Sequence, residues 1–390
     1  MTDRPAQTSV GAGHELGERE RELMARVAAT NYLQSWLHGL PGPLVRAAAA
    51  GIVWFFVTLI SDLLAGSWFR VLESEGARLG LLDDYVGQLQ EFVIFPLLVA
   101  FFFWTPMALM RALADLDSAG IVQVTEEDLR WLEHELGRPS VRVGLVLLAI
   151  LFAGVIYLTY VGSPLGQYLW LGNPGFALVK FPFWVIHTYV AAYLIAWVLV
   201  TIALLGRLFS TERIVNIEAL HPDDCGGLRP LSAYVLALVW FIGLSGATLV
   251  LVERNYFLAH DLGTSPFAFS IHLVVGAYLL ASVGAFFGPL IAPHQRMAAE
   301  KRRALSEIST RFRMVEDETM AALGRGSSAE VQEVAQRLDA MRKIYRVVYE
   351  FPVWPFDPRV LRRFALAALG QPVLALLLDL AKDRVVVLLR

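Results

Sequence analysis

Six runs of about twenty mostly apolar residues recur along the chain, and each is long enough to cross the hydrocarbon core of a bilayer as a helix. They lie at about 47–68, 91–110, 143–162, 182–205, 232–252 and 270–292. The composition agrees, since 56% of the 390 residues are hydrophobic and only 18% are charged. Soluble domains carry about a quarter charged residues. The sequence therefore predicts an all-α polytopic membrane helix bundle and excludes a soluble globular enzyme.

The apolar runs divide the chain into four parts. Residues 1–46 are predicted to form a polar tail and an interfacial helix, and residues 47–293 the six-span domain. A cytoplasmic helical hairpin is predicted over 294–350, and a Pro- and Trp-rich segment with a last apolar helix over 351–390. Because that last helix carries charged residues, we expect it to lie in the membrane interface, with a seventh span as the alternative.

Positive charge is unevenly divided between the loops. Twelve Arg residues lie before span one and in the loops that follow spans two and four, against four Lys or Arg residues in the alternate loops, where Lys180 is counted. Cytoplasmic loops carry the excess of Lys and Arg. We therefore expect a multi-pass protein of a bacterial inner membrane, with its N-terminus and C-terminal region in the cytoplasm. The single cysteine, Cys225, fits a reduced cytoplasmic loop.

The predicted hairpin rests on a heptad pattern. Apolar residues step by three and four positions on both sides of a Gly-Arg-Gly-Ser turn at 324–327, which is typical of two helices that pack antiparallel as a short coiled coil. The seam could pack only on itself, join subunits of a homo-oligomer, or dock a cytoplasmic protein partner. Its residues are Leu305, Ile308, Phe312 and Val315 before the turn, and Val331, Val334, Leu338 and Met341 after it.

Ionisable residues inside the spans are the sharpest functional signal, because burying a charge in hydrocarbon is expensive unless it has a partner or water. Asp62, Glu91, His187 and His272 lie at similar depths, near the span ends that face the periplasm in the predicted orientation. Separate side chains at the headgroup level are one interpretation, and a shared polar vestibule is another. His187 and His272 also allow a third, a bis-imidazole haem centre.

The loop after span two has part of a calcium-binding pattern. Asp115, Asp117 and Glu126 occupy ligand positions of an EF-hand-like spacing, but Ala119 stands where another oxygen ligand is required. No second hand is present in the sequence, so calcium is a weak alternative to an ordinary linker. Thr125 is predicted to cap the polar helix that follows.

The loop after span four contains His221, Asp223, Asp224, Gly226 and Gly227. A metal site is one interpretation, because imidazole and carboxylate groups bind zinc and iron. A turn is the other, because aspartates accept backbone N–H bonds and glycines allow positive φ. With no CxxC or HxxxH spacing nearby, the sequence favours the turn and predicts no bound metal.

This loop also contributes to a resemblance. Together with the FGPL motif at 287–290 and the FPVWPFD segment at 351–357, it resembles a family of polytopic bacterial inner-membrane proteins. The resemblance runs from about span four to the C-terminus. The family has no assigned activity, so the resemblance implies the membrane topology and no mechanism.

The sequence contains no phosphate-binding loop, nucleophile elbow or HExxH motif, so we expect neither an enzyme nor a nucleic-acid partner. It favours an oligomeric ion channel or transporter with a polar vestibule and no cofactor. One alternative is a non-conducting sensor or scaffold subunit whose hairpin binds a protein partner. The other is a bis-His haem membrane protein.

The predicted orientation is tested by thiol labelling in intact cells. Cysteines introduced at Ser74 and Ser265 should react with a membrane-impermeant maleimide, because both positions lie in loops predicted to face the periplasm. Cys225 should react only after the membrane is permeabilised. Labelling of Cys225 in intact cells would contradict the orientation.

Overall fold

The computed structural model describes most of the chain between Pro43 and Ala368. The N-terminal residues through 42 and the C-terminal residues from 369 lie outside it, and so do the predicted interfacial helices there. The described residues are 43–66, 68, 71–73, 76–78, 81–83, 85–161, 173–217, 221, 223, 225–259, 266–325, 328–356 and 359–368.

The described chain is almost entirely helical, which confirms the predicted all-α class. Its helices are α1 (Pro43–Ala65), α2 (Tyr85–Leu89), α3 (Phe95–Ser118), α4 (Glu126–Gly137), α5 (Pro139–Val161), α6 (Pro174–Leu208), α7 (Arg229–Ala259), α8 (Pro266–Arg325) and α9 (Ser328–Glu350), with a last helical segment over 359–368. A π-helical segment, Gln90–Ile94, joins α2 to α3. Between α1 and α2 lie a two-stranded antiparallel ribbon, β1 (Val71–Glu73) and β2 (Gly76–Arg78), and a 3₁₀ turn, Leu81–Asp83.

Six helical stretches among the described residues are long and apolar enough to cross a membrane, which confirms the predicted number of spans. They are Leu44–Leu64, Gly87–Ser118, Pro139–Leu158, Pro174–Leu208, Arg229–Ala247 and Gly276–Ala321. Many of their large apolar side chains point outward; Leu64, for example, is 83% exposed and Leu158 is 68% exposed. Such a surface suits lipid rather than water.

The bundle packs around large side chains from four of these helices. Phe102 on α3, Trp197 on α6, Tyr234 on α7 and Phe286 on α8 are each almost fully buried in one continuous core. Helix α1 packs against α3, α5 against α6, and α7 against both α3 and α8. We call the end of the bundle from which α8 leads to α9 the hairpin end, and the opposite end the distal end.

The start of α6 differs from the prediction. The helix begins at Pro174, and the Asn173 side chain caps it by accepting a hydrogen bond from the Gly175 N–H at 2.9 Å. Proline suits this first position because its missing N–H would have no helical acceptor there. Placing Lys180 in a distal loop was therefore wrong, since it lies in the second turn of α6 and is fully buried.

The last span also continues beyond its predicted end near Pro293. Helix α8 runs for 60 residues without a break and contains both Pro289 and Pro293. It then pairs with α9, and two contacts show that the helices run antiparallel. The Lys301 ammonium donates to the Tyr349 carbonyl at 2.5 Å, and Arg337 lies 3.9 Å from Glu318 nearer the turn.

The seam residues are the less exposed ones on the two hairpin helices. Val334 is 9% exposed, whereas Met320, off the seam, is 68% exposed. The half-buried seam residues are Leu305, Ile308, Phe312, Val315, Leu338 and Met341, and the side chain of Val331 lies outside the described part of the chain.

Candidate functional site

A lysine and two carboxylates lie together within the distal half of the bundle. Lys180 Nζ on α6 is 2.5 Å from Asp62 Oδ1 on α1 and 3.4 Å from Glu91 Oε2 in the π-helical segment. Lys180 and Asp62 have no exposed surface, and Glu91 is 4% exposed. We call Asp62, Glu91 and Lys180 the buried charge cluster.

The π-helical segment has a local cause in the sequence. Pro96 has no N–H and its ring crowds the Phe92 carbonyl, so the α-helical bond between these two residues cannot form. Next to it, the Phe95 N–H donates to the Gln90 carbonyl, five residues back, as in a π-helix. The wider turn places Gln90, Glu91 and Ile94 on the buried side of the helix. Single π turns occur often at functional sites, and this one positions Glu91 in the buried charge cluster.

The electrostatic balance of the buried charge cluster depends on its geometry. Removing an ion from water costs several kcal/mol, and the attraction between opposite charges offsets this cost only at short distance. The contact between Lys180 and Asp62 meets that condition. Lys180 Nζ also lies over the Phe183 ring, 5.2 Å from its centroid, which is a cation–π contact. Charged side chains among spanning helices are almost always paired, and they often mark ion or proton pathways.

His187 lies apart from this cluster, two turns along α6 from Lys180, or about 10 Å at the helical rise. Its Nε2 accepts a hydrogen bond from Trp54 Nε1 at 2.9 Å, and its ring stacks on Phe95 with centroids 3.8 Å apart. The side chain of His272 lies outside the described part of the chain. Of the four predicted vestibule residues, the structure thus joins Asp62 and Glu91 through Lys180, which the prediction had left out.

The contacts of His187 and of the loop after α3 can be compared with what haem and calcium would require. Haem ligation through His187 Nε2 would require the Trp54 hydrogen bond to break. In the calcium-like loop, Asp115 and Asp117 lie in the last turn of α3, and Asp117 Oδ1 already accepts the Val124 N–H at 3.0 Å. Within the described ranges, no three His, Cys, Asp or Glu side chains are grouped as a metal site requires.

The loop after α6 forms a turn organised by Asp223. Its carboxylate accepts the backbone N–H groups of Cys225 at 2.9 Å, Gly227 at 3.0 Å and Arg229 at 3.2 Å. His221 Nδ1 lies 2.8 Å from the same carboxylate. Burial raises the pKa of Asp223, but these hydrogen bonds outweigh it, so the net pKa lies below its ordinary value. Asp224 lies outside the described residues.

Gly226 and Gly227 complete this turn with positive φ angles of 67° and 87°. Their missing side chains also make room for long-range packing. A Cβ on Gly226 would lie 2.9 Å from the Phe351 ring, and one on Gly227 would lie 2.4 Å from Ile121 Cδ1. The turn therefore contacts both the loop after α3 and the start of the segment after α9.

That segment, Phe351 to Phe356, attaches the hairpin to the bundle. Lys301 donates to the Phe351 carbonyl at 2.8 Å, and Ser232 on α7 donates to the Pro355 carbonyl. The His294 ring stacks on Trp354 with centroids 3.9 Å apart. We call these contacts, with those of the glycine turn, the hairpin junction.

A neighbouring ion pair joins the two loops at the hairpin end. Thr125 caps α4 as predicted, and Asp128 completes the capping box. The buried Asp128 also pairs with both terminal nitrogens of Arg213, at 2.8 and 2.9 Å. Arg296 on α8 donates to the Arg213 carbonyl at 2.8 Å. The loops after α3 and α6 are thereby fixed to the base of the hairpin.

No family model, curated protein or solved structure matches the chain.

Because the glycine turn is closely packed, we expect one added methyl group there to destabilise the protein. Gly227→Ala should lower the free energy of unfolding by about 1–3 kcal/mol, because the new Cβ meets Ile121 and the backbone has positive φ. Gly206→Ala is the matched control, since nothing lies within 4 Å of its Cβ. We expect the control to be neutral or stabilising in detergent melts. Equal melting temperatures for both variants would contradict the close packing.

Proposed function

We propose that this protein is an ion channel or transporter whose transport step involves the buried charge cluster. The observation that supports this most is the full burial of Lys180 between two carboxylates on other helices of the spanning bundle. A purely structural bundle gains little from such a cluster, because apolar residues of similar volume often give equal or greater stability.

The arrangement of the helices fits a transport role. The three charges come from α1, the π-helical segment and α6, so relative movement of any of these helices changes a charge contact. Irregular helical segments inside the bundle often hold ions in transporters, and the π-helical segment that carries Glu91 is an irregular segment of this kind. Ionisable residues inside spans likewise mark ion and proton pathways.

We also infer the cellular setting from the charge distribution between loops. The hairpin end faces the cytoplasm of a bacterial inner membrane, and the distal end faces the periplasm. Subunits associate as a homo-oligomer in this proposal, and the hairpin seam is the surface that we expect to contribute.

A second candidate function is a scaffold whose hairpin docks a cytoplasmic protein. It is favoured by the apolar side chains that the hairpin exposes outside its seam, among them Met314, Ile344 and Tyr349. A groove between α8 and α9, lined in part by Phe312 and Tyr345, adds to this surface. This function and transport are compatible, because the hairpin junction connects the two parts.

The transport proposal is tested by flux into proteoliposomes. Glu91→Gln keeps the shape of the side chain but removes its charge, and it should lower the flux of the transported ion by about tenfold or more. Glu307→Gln is the matched control, because Glu307 lies exposed on the hairpin and pairs only with Arg311 among the described residues. Flux of protons, sodium and potassium should be followed separately.

Two outcomes would contradict the proposal. One is the absence of flux of all three ions in wild-type vesicles that contain correctly folded protein. The other is flux through Glu91→Gln at the rate of the wild type and of the Glu307→Gln control.

A further inference from the structure

One face of α1 carries polar groups although the helix is otherwise apolar after Arg46. Trp54, Thr58, Ser61 and Asp62 follow one another at four-, three- and one-residue steps, so they lie on the same side. Thr58 is fully buried and Ser61 is 8% exposed. This face connects the two sites described above, because Asp62 contacts Lys180 and Trp54 bonds to His187.

The two hydroxyls on this face differ from other buried hydroxyls of the bundle. Thr105 and Ser282, which are buried, and Thr188, which is half-buried, each donate to the carbonyl four residues earlier, at 2.7–2.8 Å. Thr58 Oγ1 and Ser61 Oγ are buried and have no hydrogen-bond partner among the described residues. Buried hydroxyls in helices normally find such a partner, so these two are oriented for a group outside their own backbone.

His187 presents a third polar atom of this kind. Its Nε2 is occupied by the Trp54 N–H, so the neutral ring carries its proton on Nδ1. Nδ1 is buried and has no partner in the described part of the chain. The Nδ1–H donor of His187 on α6 thus marks one end of this polar region, and the buried charge cluster marks the other. The hydroxyls of Thr58 and Ser61 on α1 lie between these two levels.

We propose that Thr58, Ser61 and His187 bind ordered water, and that this water forms a proton path between the buried charge cluster and the water held by the His187 Nδ1–H. We call these three residues the α1 polar track. The inference rests on the proposed transport function and names the proton as the transported ion. Buried water typically makes two to four hydrogen bonds to polar groups that have no other partner, and these atoms provide such groups.

The chemistry of the path requires no co-reactant. At each step an O–H bond breaks on one carboxyl, water or hydroxyl group while a new O–H bond forms on the neighbouring oxygen, and an oxygen that gains a proton on one side releases one on the other. His187 keeps its Nδ1 proton and only donates a hydrogen bond to the last water. One proton moves and the electron pairs stay with their heavy atoms. Serine and threonine hydroxyls suit such a path because each can donate and accept at once.

The packing next to the track favours protons over hydrated metal ions. Gly51 lies one turn from Trp54, and a Cβ there would be 2.9 Å from the Pro96 carbonyl oxygen of α3. Helices α1 and α3 are therefore in close backbone contact at this level. A proton transferred between hydrogen-bonded groups passes where a hydrated sodium or potassium ion would have to separate the helices.

The test uses full-length protein in liposomes that contain a pH-sensitive dye, with a potassium diffusion potential as driving force. Thr58→Val and Ser61→Ala remove the hydroxyls with little change in shape. Each should lower proton flux by about tenfold, a factor typical of one lost hydrogen bond in a transfer step. Thr105→Val and Ser282→Ala are the matched controls, since their hydroxyls bond only to their own helix among the described residues. We expect both controls to retain wild-type flux and all four variants to retain helicity.

A second measurement detects the water itself. Radiolytic labelling in ¹⁸O water should modify Trp54 in the wild type and modify it less in Thr58→Val, because bound water is the source of the label. Unlabelled Trp54, or equal loss of proton flux in the track variants and the controls, would overturn the track. Flux of sodium or potassium without protons would overturn the inference and leave the transport function standing. Labelled Trp54 without flux of any ion would overturn both.

Discussion

The contact between Lys180 and Asp62 is the interaction on which the arrangement of the distal half depends. It joins α1 to α6 in surroundings where an unpaired charge would cost several kcal/mol. Apolar packing alone would allow these helices to slide or rotate, because an apolar side chain is about as stable against lipid as against another helix. The ion pair, with Glu91 beside it, instead specifies one register of α1, the π-helical segment and α6.

The hairpin end is held by several kinds of contact, one of which is the ion pair between Asp128 and Arg213. There the segment after α9 is held by hydrogen bonds to its backbone carbonyls, such as the one from Lys301 to Phe351. The loops are joined by close packing at glycine, as at Gly227. Helix α8 runs unbroken from the bundle into the hairpin, so the spans and the hairpin share one continuous helix. A partner that moved the hairpin would act on the bundle through α8 and the hairpin junction.

The sequence predicted those features that depend on composition and local pattern. The six spans follow from hydropathy, the cap at Thr125 from local spacing, and the choice of Asp62 and Glu91 as candidate site residues from the cost of charge in hydrocarbon. Lys180 was missed because the start of the span was judged by hydropathy, although Asn173 and Pro174 carry a helix-start signal seven and six residues earlier. The contact of Gly227 with Ile121 could not be predicted, because it joins residues more than a hundred positions apart.

A double-mutant cycle on Asp62 and Lys180 tests the central claim most directly. Reversible unfolding in mixed micelles would give the stability of Asp62→Asn, Lys180→Gln and the double variant. All variants carry Glu91→Gln, because Glu91 would otherwise neutralise Lys180 in Asp62→Asn and lose its cation in the double variant. If Asp62 and Lys180 pair within the bundle, each single variant in this background leaves an uncompensated buried charge, and the double variant should lose about 2–3 kcal/mol less than the sum of the singles. Additive losses within the usual error of about 0.5 kcal/mol would show that the residues do not interact and would contradict the account.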